Sequence, residues 1–154
     1  MGAGSSHKIR CIVAAAIVAG IASTAAQIGL WWLAGENAVE LLLRDARLTA
    51  ALVLGREVLP PPTDFNAAIV LVASLIHFGL SLFYAALLSP LSRMRWVEAL
   101  AIGSVFGAGL YVVNLYGFTL LFPWFAAARG SITFAAHLVF GVAAMETLRR
   151  MRAA

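Results

Sequence analysis

Four polar residues stand within apolar stretches of this chain, and they are the side chains best suited to chemistry. They are Gln27, His77, Asn114 and His137. Because hydrocarbon offers no water to such groups, each must find a protein partner or a ligand. Imidazole can ligate haem iron or a transition metal or carry a proton, and amides can bond across helices. Together they form a candidate intramembrane polar layer.

Small or polar residues recur around these positions at three- and four-residue spacing, which places them on single helix faces. The flanking residues are Thr24, Ser74, Ser81, Tyr84 and Thr133, and the helix-packing residues are Gly103, Gly107, Gly117 and Gly141. Small residues let helix backbones approach closely. For the GxxxG pair Gly103 and Gly107, packing within the monomer is favoured over a dimer face, because Asn114 shares the stripe and needs a polar partner.

No catalytic constellation is recognisable in the sequence. Serine, histidine and acidic residues do not combine into a triad context, and phosphate-binding loops and paired carboxylates are absent. Cys11 is the single cysteine and has no partner for metal or redox chemistry. The sequence therefore predicts a protein that is not an enzyme, with no catalytic residue, cofactor or metal site.

Composition identifies the environment of these residues. Of 154 residues, 62% are hydrophobic and 12% charged, whereas soluble domains are roughly half apolar and about a quarter charged. The apolar side chains must therefore be buried in a lipid bilayer. The net charge of +4 comes from dispersed basic residues, which indicate membrane topology rather than nucleic-acid binding.

Four apolar stretches approach the roughly 20 residues that a helix needs to cross hydrocarbon. They are residues 11–34, 67–88, 97–122 and 132–148. Ser23, Thr24 and Ala25 resemble a signal-peptide cleavage site, but the apolar run continues to Leu33, so the first stretch is expected to be a retained span. The prediction is a single transmembrane domain over residues 1–154, an all-α integral membrane protein with a four-transmembrane-helix bundle.

Residues 35–66 form the only long connection. Glu40, Arg44 and Arg47 stand at helical spacing among leucines, which predicts an amphipathic surface helix over residues 38–54, between the first two spans. Gly55 ends that helix, and the proline run at 60–62 favours an extended return.

The flanking charges predict the orientation. The two termini and the connection between spans two and three carry seven lysines and arginines, against four on the opposite side. Connections and termini rich in lysine and arginine usually lie on the cytoplasmic side of the membrane. Both termini are therefore expected in the cytoplasm, in a bacterial inner (plasma) membrane. At 1.5 Å per residue, the polar layer then lies roughly 8 to 15 Å below the outer boundary.

Several segments carry a family resemblance. They are Ile76, His77 and Phe78 through Tyr84, the glycine-rich third span, residues 136–139, residues 146–150, and Leu43, Arg44 and Asp45 of the outer loop. In motif order over about the last two-thirds of the chain, they resemble the YagU-like family of small bacterial inner-membrane proteins. The resemblance implies a four-helix inner-membrane protein without an established activity, in which His77 and His137 are recurrent. This chain departs from the family by its shorter outer loop.

The chain also resembles short membrane proteins labelled sodium:proline symporter. Such a symporter is built from inverted repeats, and four spans without a repeat do not supply that architecture.

Three functions remain open from the residues. The leading hypothesis is a structural or accessory membrane component whose polar layer sets helix register. The alternative is a small oligomeric transporter or channel for a proton or small solute, and the second alternative is bis-histidine haem or metal binding. Expected partners are membrane lipids, with a second copy or another membrane protein left open, and no nucleic acid.

Overall fold

Apolar helices make up most of the fold. The structure is a computed structural model that describes residues 3–153. Its α-helices are α1 (Ala3–Leu33), α2 (Ala38–Leu54), α3 (Ala67–Leu88), α4 (Trp96–Val112) and α5 (Ser131–Ala153). Within these described residues there is no strand. The predicted all-α class is confirmed.

Four helices are long and apolar enough to cross a membrane, and α2 is not among them. The candidate spans are Ser5–Leu33, Ala67–Leu91, Trp96–Leu120 and Ser131–Arg152. The chain is therefore a multi-pass membrane protein with an additional helix between its first two spans. That helix has the predicted bounds, and Gly55 follows it with a φ of 87°, a left-handed conformation that favours glycine.

The third span departs from the regular helix expected over residues 97–122. After α4, the backbone forms a π-helical turn over Val113–Gly117 and a 3-10 turn over Phe118–Leu120. The Leu115 carbonyl accepts hydrogen bonds from Arg129 Nε at 2.8 Å and from Thr119 Oγ1 at 3.2 Å. Side chains thus bind a backbone carbonyl within the irregular turn.

The spans pack in a row rather than in a closed square. Helix α4 packs along α5, α5 along α1, and α1 along α3, while α2 lies across α3. Helices α3 and α4, at the two ends of the row, make no comparable contact. The row therefore leaves space between its ends.

The half of the bundle next to the chain termini is closely packed. Its buried core is rich in small residues and comprises Cys11, Ala15, Ala16, Ala19, Tyr84, Ala85, Leu88, Ala99, Leu110, Phe140, Ala144, Met145 and Leu148. The final turns of α5 carry the expected ion pairs, in which Arg149 and Arg150 donate to Glu146 at 2.7 and 2.6 Å.

Glycines bring α4 and α5 into backbone contact. A methyl group added to Gly107 would collide with the His137 carbonyl oxygen, and one added to Gly141 would collide with the Gly103 carbonyl oxygen. The GxxxG pair thus packs within this chain. Gly117 was expected to pack on the same helix face, and this prediction is wrong. A methyl group added to Gly117 would meet nothing within 4 Å. The π-helical turn changes the angular spacing before Gly117 and removes it from this face.

Side-chain contacts hold α2 to the connection that follows it and to the segment after the third span. Arg47, only 6% exposed, donates to the Val58 carbonyl oxygen at 3.3 Å and also binds Asp64. Trp124 Nε1 donates to the Leu48 carbonyl oxygen at 2.9 Å. Helix α2 therefore covers the space between the spans on the side away from the termini.

Candidate functional site

A cavity of about 820 Å³ occupies the half of the bundle beneath α2. Its walls are mostly apolar, and all four predicted layer residues line it, together with Thr24, Ser74, Ser81, Tyr84 and Thr133. Tyr84 forms its floor with Leu110 and Phe140, and the Tyr84 ring lies edge-on to Phe140 with centroids 6.3 Å apart. The structure thus brings the polar residues to one cavity.

One directed chain of hydrogen bonds crosses this cavity wall. Tyr84 donates its hydroxyl hydrogen to Asn114 Oδ1 at 2.8 Å, and Asn114 Nδ2 lies 3.4 Å from His137 Nε2. His137 Nδ1 lies 2.7 Å from the Thr133 carbonyl oxygen. Because a carbonyl only accepts, Nδ1 carries the hydrogen, and Nε2 of the neutral ring accepts from Asn114. Every bond in the chain then has one donor and one acceptor.

Gln27 links this chain to α2. Its Nε2 donates to Asp45 Oδ2 at 3.3 Å and to Thr133 Oγ1 at 3.5 Å. The hydrogen-bonded residues thereby connect α2, α1, α5, the turn after α4, and α3. Interhelical bonds of this kind fix the register of helices in a bilayer.

Asp45 is a member of the polar layer that the sequence analysis missed. It lines the cavity, and its Oδ1 accepts from Arg44 at 2.8 Å. The sequence holds one signal for it: Leu48 and Leu52 follow at three and seven residues and place Asp45 on the apolar face of α2. Both leucines also line the cavity.

Burial raises the pKa of Asp45 above its ordinary value of 3.8, although Arg44 and Gln27 act to lower it. The folded protein therefore binds this proton more tightly than the unfolded chain does. The contribution of Asp45 to stability increases as the pH falls through the raised pKa, and it is complete below 3.8.

We expect acidification to stabilise the wild-type protein relative to Asp45→Asn, which cannot titrate at this position. The measurement is the melting temperature of both proteins in detergent from about pH 7 down to about pH 4, which approaches the ordinary pKa of the carboxyl group. All other acidic groups are common to the two proteins, so the difference isolates Asp45. A difference that is independent of pH, or that shrinks on acidification, would contradict the assignment.

His77 stands apart from the hydrogen-bonded chain. Its Nε2 lies 3.3 Å from the Gly20 carbonyl oxygen of α1 and must donate to it. The neutral ring then keeps Nδ1 as an acceptor, and no bond joins His77 to Gln27, Asn114 or His137 among the described residues. Of the four predicted residues, Asn114 and His137 are therefore the pair in direct contact.

The contacts of His137 bear on the haem or metal hypothesis. Both of its ring nitrogens already have protein partners, Thr133 and Asn114, so ligation by His137 would break one of these bonds. Over residues 3–153, no three histidine, cysteine, aspartate or glutamate side chains form a group suited to a metal ion. The geometry therefore favours hydrogen bonding over ligation at His137.

The cavity floor bears on the transport hypothesis. Tyr84, Leu110 and Phe140 line the cavity and also belong to the closely packed core. Asn114 also separates Tyr84 from His137, and an amide does not exchange its protons as a titrating group does. In this structure the layer lines a hollow that adjoins the closely packed core.

No protein-family model, no curated protein and no solved structure matches this chain. The family resemblance is therefore a proposal that rests on sequence motifs.

Proposed function

We propose that this protein is a non-enzymatic accessory component of the bacterial inner membrane that holds an amphipathic, membrane-soluble molecule beneath α2. The observation that carries the proposal is the division of the bundle into a closely packed half and a hollow half. Binding sites for small molecules commonly measure about 300–1,000 Å³ and combine apolar walls with a few convergent polar groups. The cavity has that size and that lining.

The bonding of the cavity hydroxyls favours binding over catalysis. Ser74 and Ser81 each donate to a carbonyl oxygen four residues earlier in α3, both at 2.8 Å. Hydroxyls held in this way have no adjacent base that would activate them as nucleophiles. Gln27, Tyr84, Asn114 and His137 are held by hydrogen bonds to other side chains, which supports a rigid recognition surface.

Charge distribution supports the proposed location and orientation. Basic residues concentrate at the end of the bundle that carries both termini, which supports a cytoplasmic location for that end and an outer location for α2. The proposed membership of the YagU-like family agrees with an inner-membrane location. Lipids are the proposed immediate partners, since α3 and α4 present exposed apolar side chains such as Leu75 and Val105 outward.

The test is to identify what the purified protein retains. The wild-type protein is extracted in mild detergent, and its bound molecules are quantified by mass spectrometry relative to bulk lipid. The double variant Thr24→Phe/Ser74→Phe places two aromatic rings on the cavity wall. Val105→Phe is the matched control, because Val105 is 74% exposed and lies outside the cavity.

We expect an enriched amphiphile in the wild type and in Val105→Phe, and a reduction of about tenfold or more in the double variant, equivalent to roughly 1.4 kcal/mol of binding free energy. Circular dichroism of all three proteins checks that they remain folded. The proposal fails if no molecule is enriched over bulk lipid, or if the folded double variant retains as much as the wild type.

A further inference from the structure

The cavity presents hydrogen-bond acceptors that lack a partner among the described residues. Gln27 bonds only through its Nε2, which leaves Oε1 free. His77 is held through Nε2, which leaves Nδ1 free. Tyr84 donates to Asn114, and its oxygen retains capacity to accept. Neither Gln27 Oε1 nor His77 Nδ1 is fully buried, and both residues line the cavity, as Tyr84 does.

Donors on the same wall are mostly occupied. Both hydrogens of Gln27 Nε2 have partners, His77 and His137 each donate to a carbonyl oxygen, and Ser74 and Ser81 donate within α3. What remains are one hydrogen of Asn114 Nδ2 and the hydroxyls of Thr24 and Thr133, the second of which already accepts from Gln27. The threonine hydroxyls can donate or accept, whereas His77 Nδ1 and Gln27 Oε1 can only accept, so these two atoms need a donor from the ligand.

We infer that the polar end of the bound molecule is a hydroxyl, so that the ligand is a lipid-soluble alcohol or phenol donating to His77 Nδ1 or Gln27 Oε1. This inference rests on the proposed function and names its ligand class. A ketone, ester or ether of the same shape only accepts and leaves these acceptors unpaired in an apolar space, which costs binding free energy.

An ammonium group is a poorer match for the same wall. The carboxylate of Asp45 already faces the guanidinium of Arg44 at 2.8 Å, so this pair supplies no net negative charge for a cation. Transferring an unpaired cation into apolar surroundings is strongly unfavourable. A neutral hydroxyl donor satisfies the acceptors without that penalty.

The experiment compares two probes with the same alkyl chain, one with a hydrogen and the other with a methyl group on the terminal oxygen. Tritiated hexadecan-1-ol and tritiated 1-methoxyhexadecane are titrated onto the detergent-solubilised full chain in a scintillation proximity assay, and saturable binding is measured. We expect the alcohol to bind at least about tenfold more tightly, because a site that bonds a hydroxyl discriminates strongly against an analogue lacking it. In the variant Gln27→Met/His77→Phe, the preference should fall below about threefold.

Thr147→Val is the matched control, because its hydroxyl donates within α5 to the Ala143 carbonyl oxygen and lies outside the cavity. It should keep the full preference. Equal saturable binding of alcohol and ether by the wild type overturns the hydroxyl inference and leaves the proposed function standing. Saturable binding of neither probe counts against both, whereas an undiminished preference in folded Gln27→Met/His77→Phe overturns the assignment to these two residues.

Discussion

Gly141→Ala is expected to destabilise the folded bundle by about 1–3 kcal/mol, the usual range for overpacking a filled interior. The added methyl group would collide with the Gly103 carbonyl oxygen and would lie 2.8 Å from the Gly107 backbone nitrogen. Both obstacles are backbone atoms, so no side-chain rotation relieves the clash. Helices α4 and α5 would have to separate along their length, which forfeits the close contact that drives helix association in lipid.

Gly109→Ala is the control for this substitution, because an added methyl group there meets nothing within 4 Å. It makes the same chemical change two residues from Gly107 in α4, and alanine is the better helix former by about 1 kcal/mol in water. The measurement is unfolding of each purified protein by SDS, followed by circular dichroism. Equal stability of Gly141→Ala and Gly109→Ala would contradict the α4–α5 contact.

The second large effect is expected from Asn114→Leu. Asn114 accepts from Tyr84 of α3 and donates to His137 of α5, so the substitution removes two interhelical bonds together. Measured intramembrane hydrogen bonds average about 0.6 kcal/mol and reach about 1.7 kcal/mol. We therefore expect the free energy of unfolding to fall by about 1–3 kcal/mol. The amount of bound amphiphile should also fall, because Tyr84 at the cavity floor loses its hydrogen bond to residue 114.

A double-mutant cycle with Tyr84→Phe separates the contact from general disruption. Because both substitutions remove the same Tyr84–Asn114 bond, their combined cost should be smaller than the sum of the single costs. Tyr84→Phe retains the ring that packs against Phe106 and Phe140. The prediction is contradicted if the two free-energy changes are strictly additive in SDS unfolding, or if Asn114→Leu is as stable as the wild type.

Much of the candidate layer can be predicted from the sequence alone. His137, Asn114 and Gln27 stand out because polar groups are costly in apolar segments, wherever the segments pack. Asp45 did not stand out as a member, since its helix lies outside the spans and its approach to Gln27 depends on how α2 folds back. His77 matched the pattern equally well but bonds the Gly20 backbone instead of its predicted companions.

The sequence by itself determined the number of spans and the bounds of α2, because transfer of apolar residues into lipid and the ending of a helix at Gly55 are local properties. Only the tertiary structure decided which groups meet. The π-helical turn removed Gly117 from the α4–α5 contact, and the open row of helices created the cavity. Helix order and rotation arise from packing between distant segments, so no single segment encodes the hollow in which the polar residues converge.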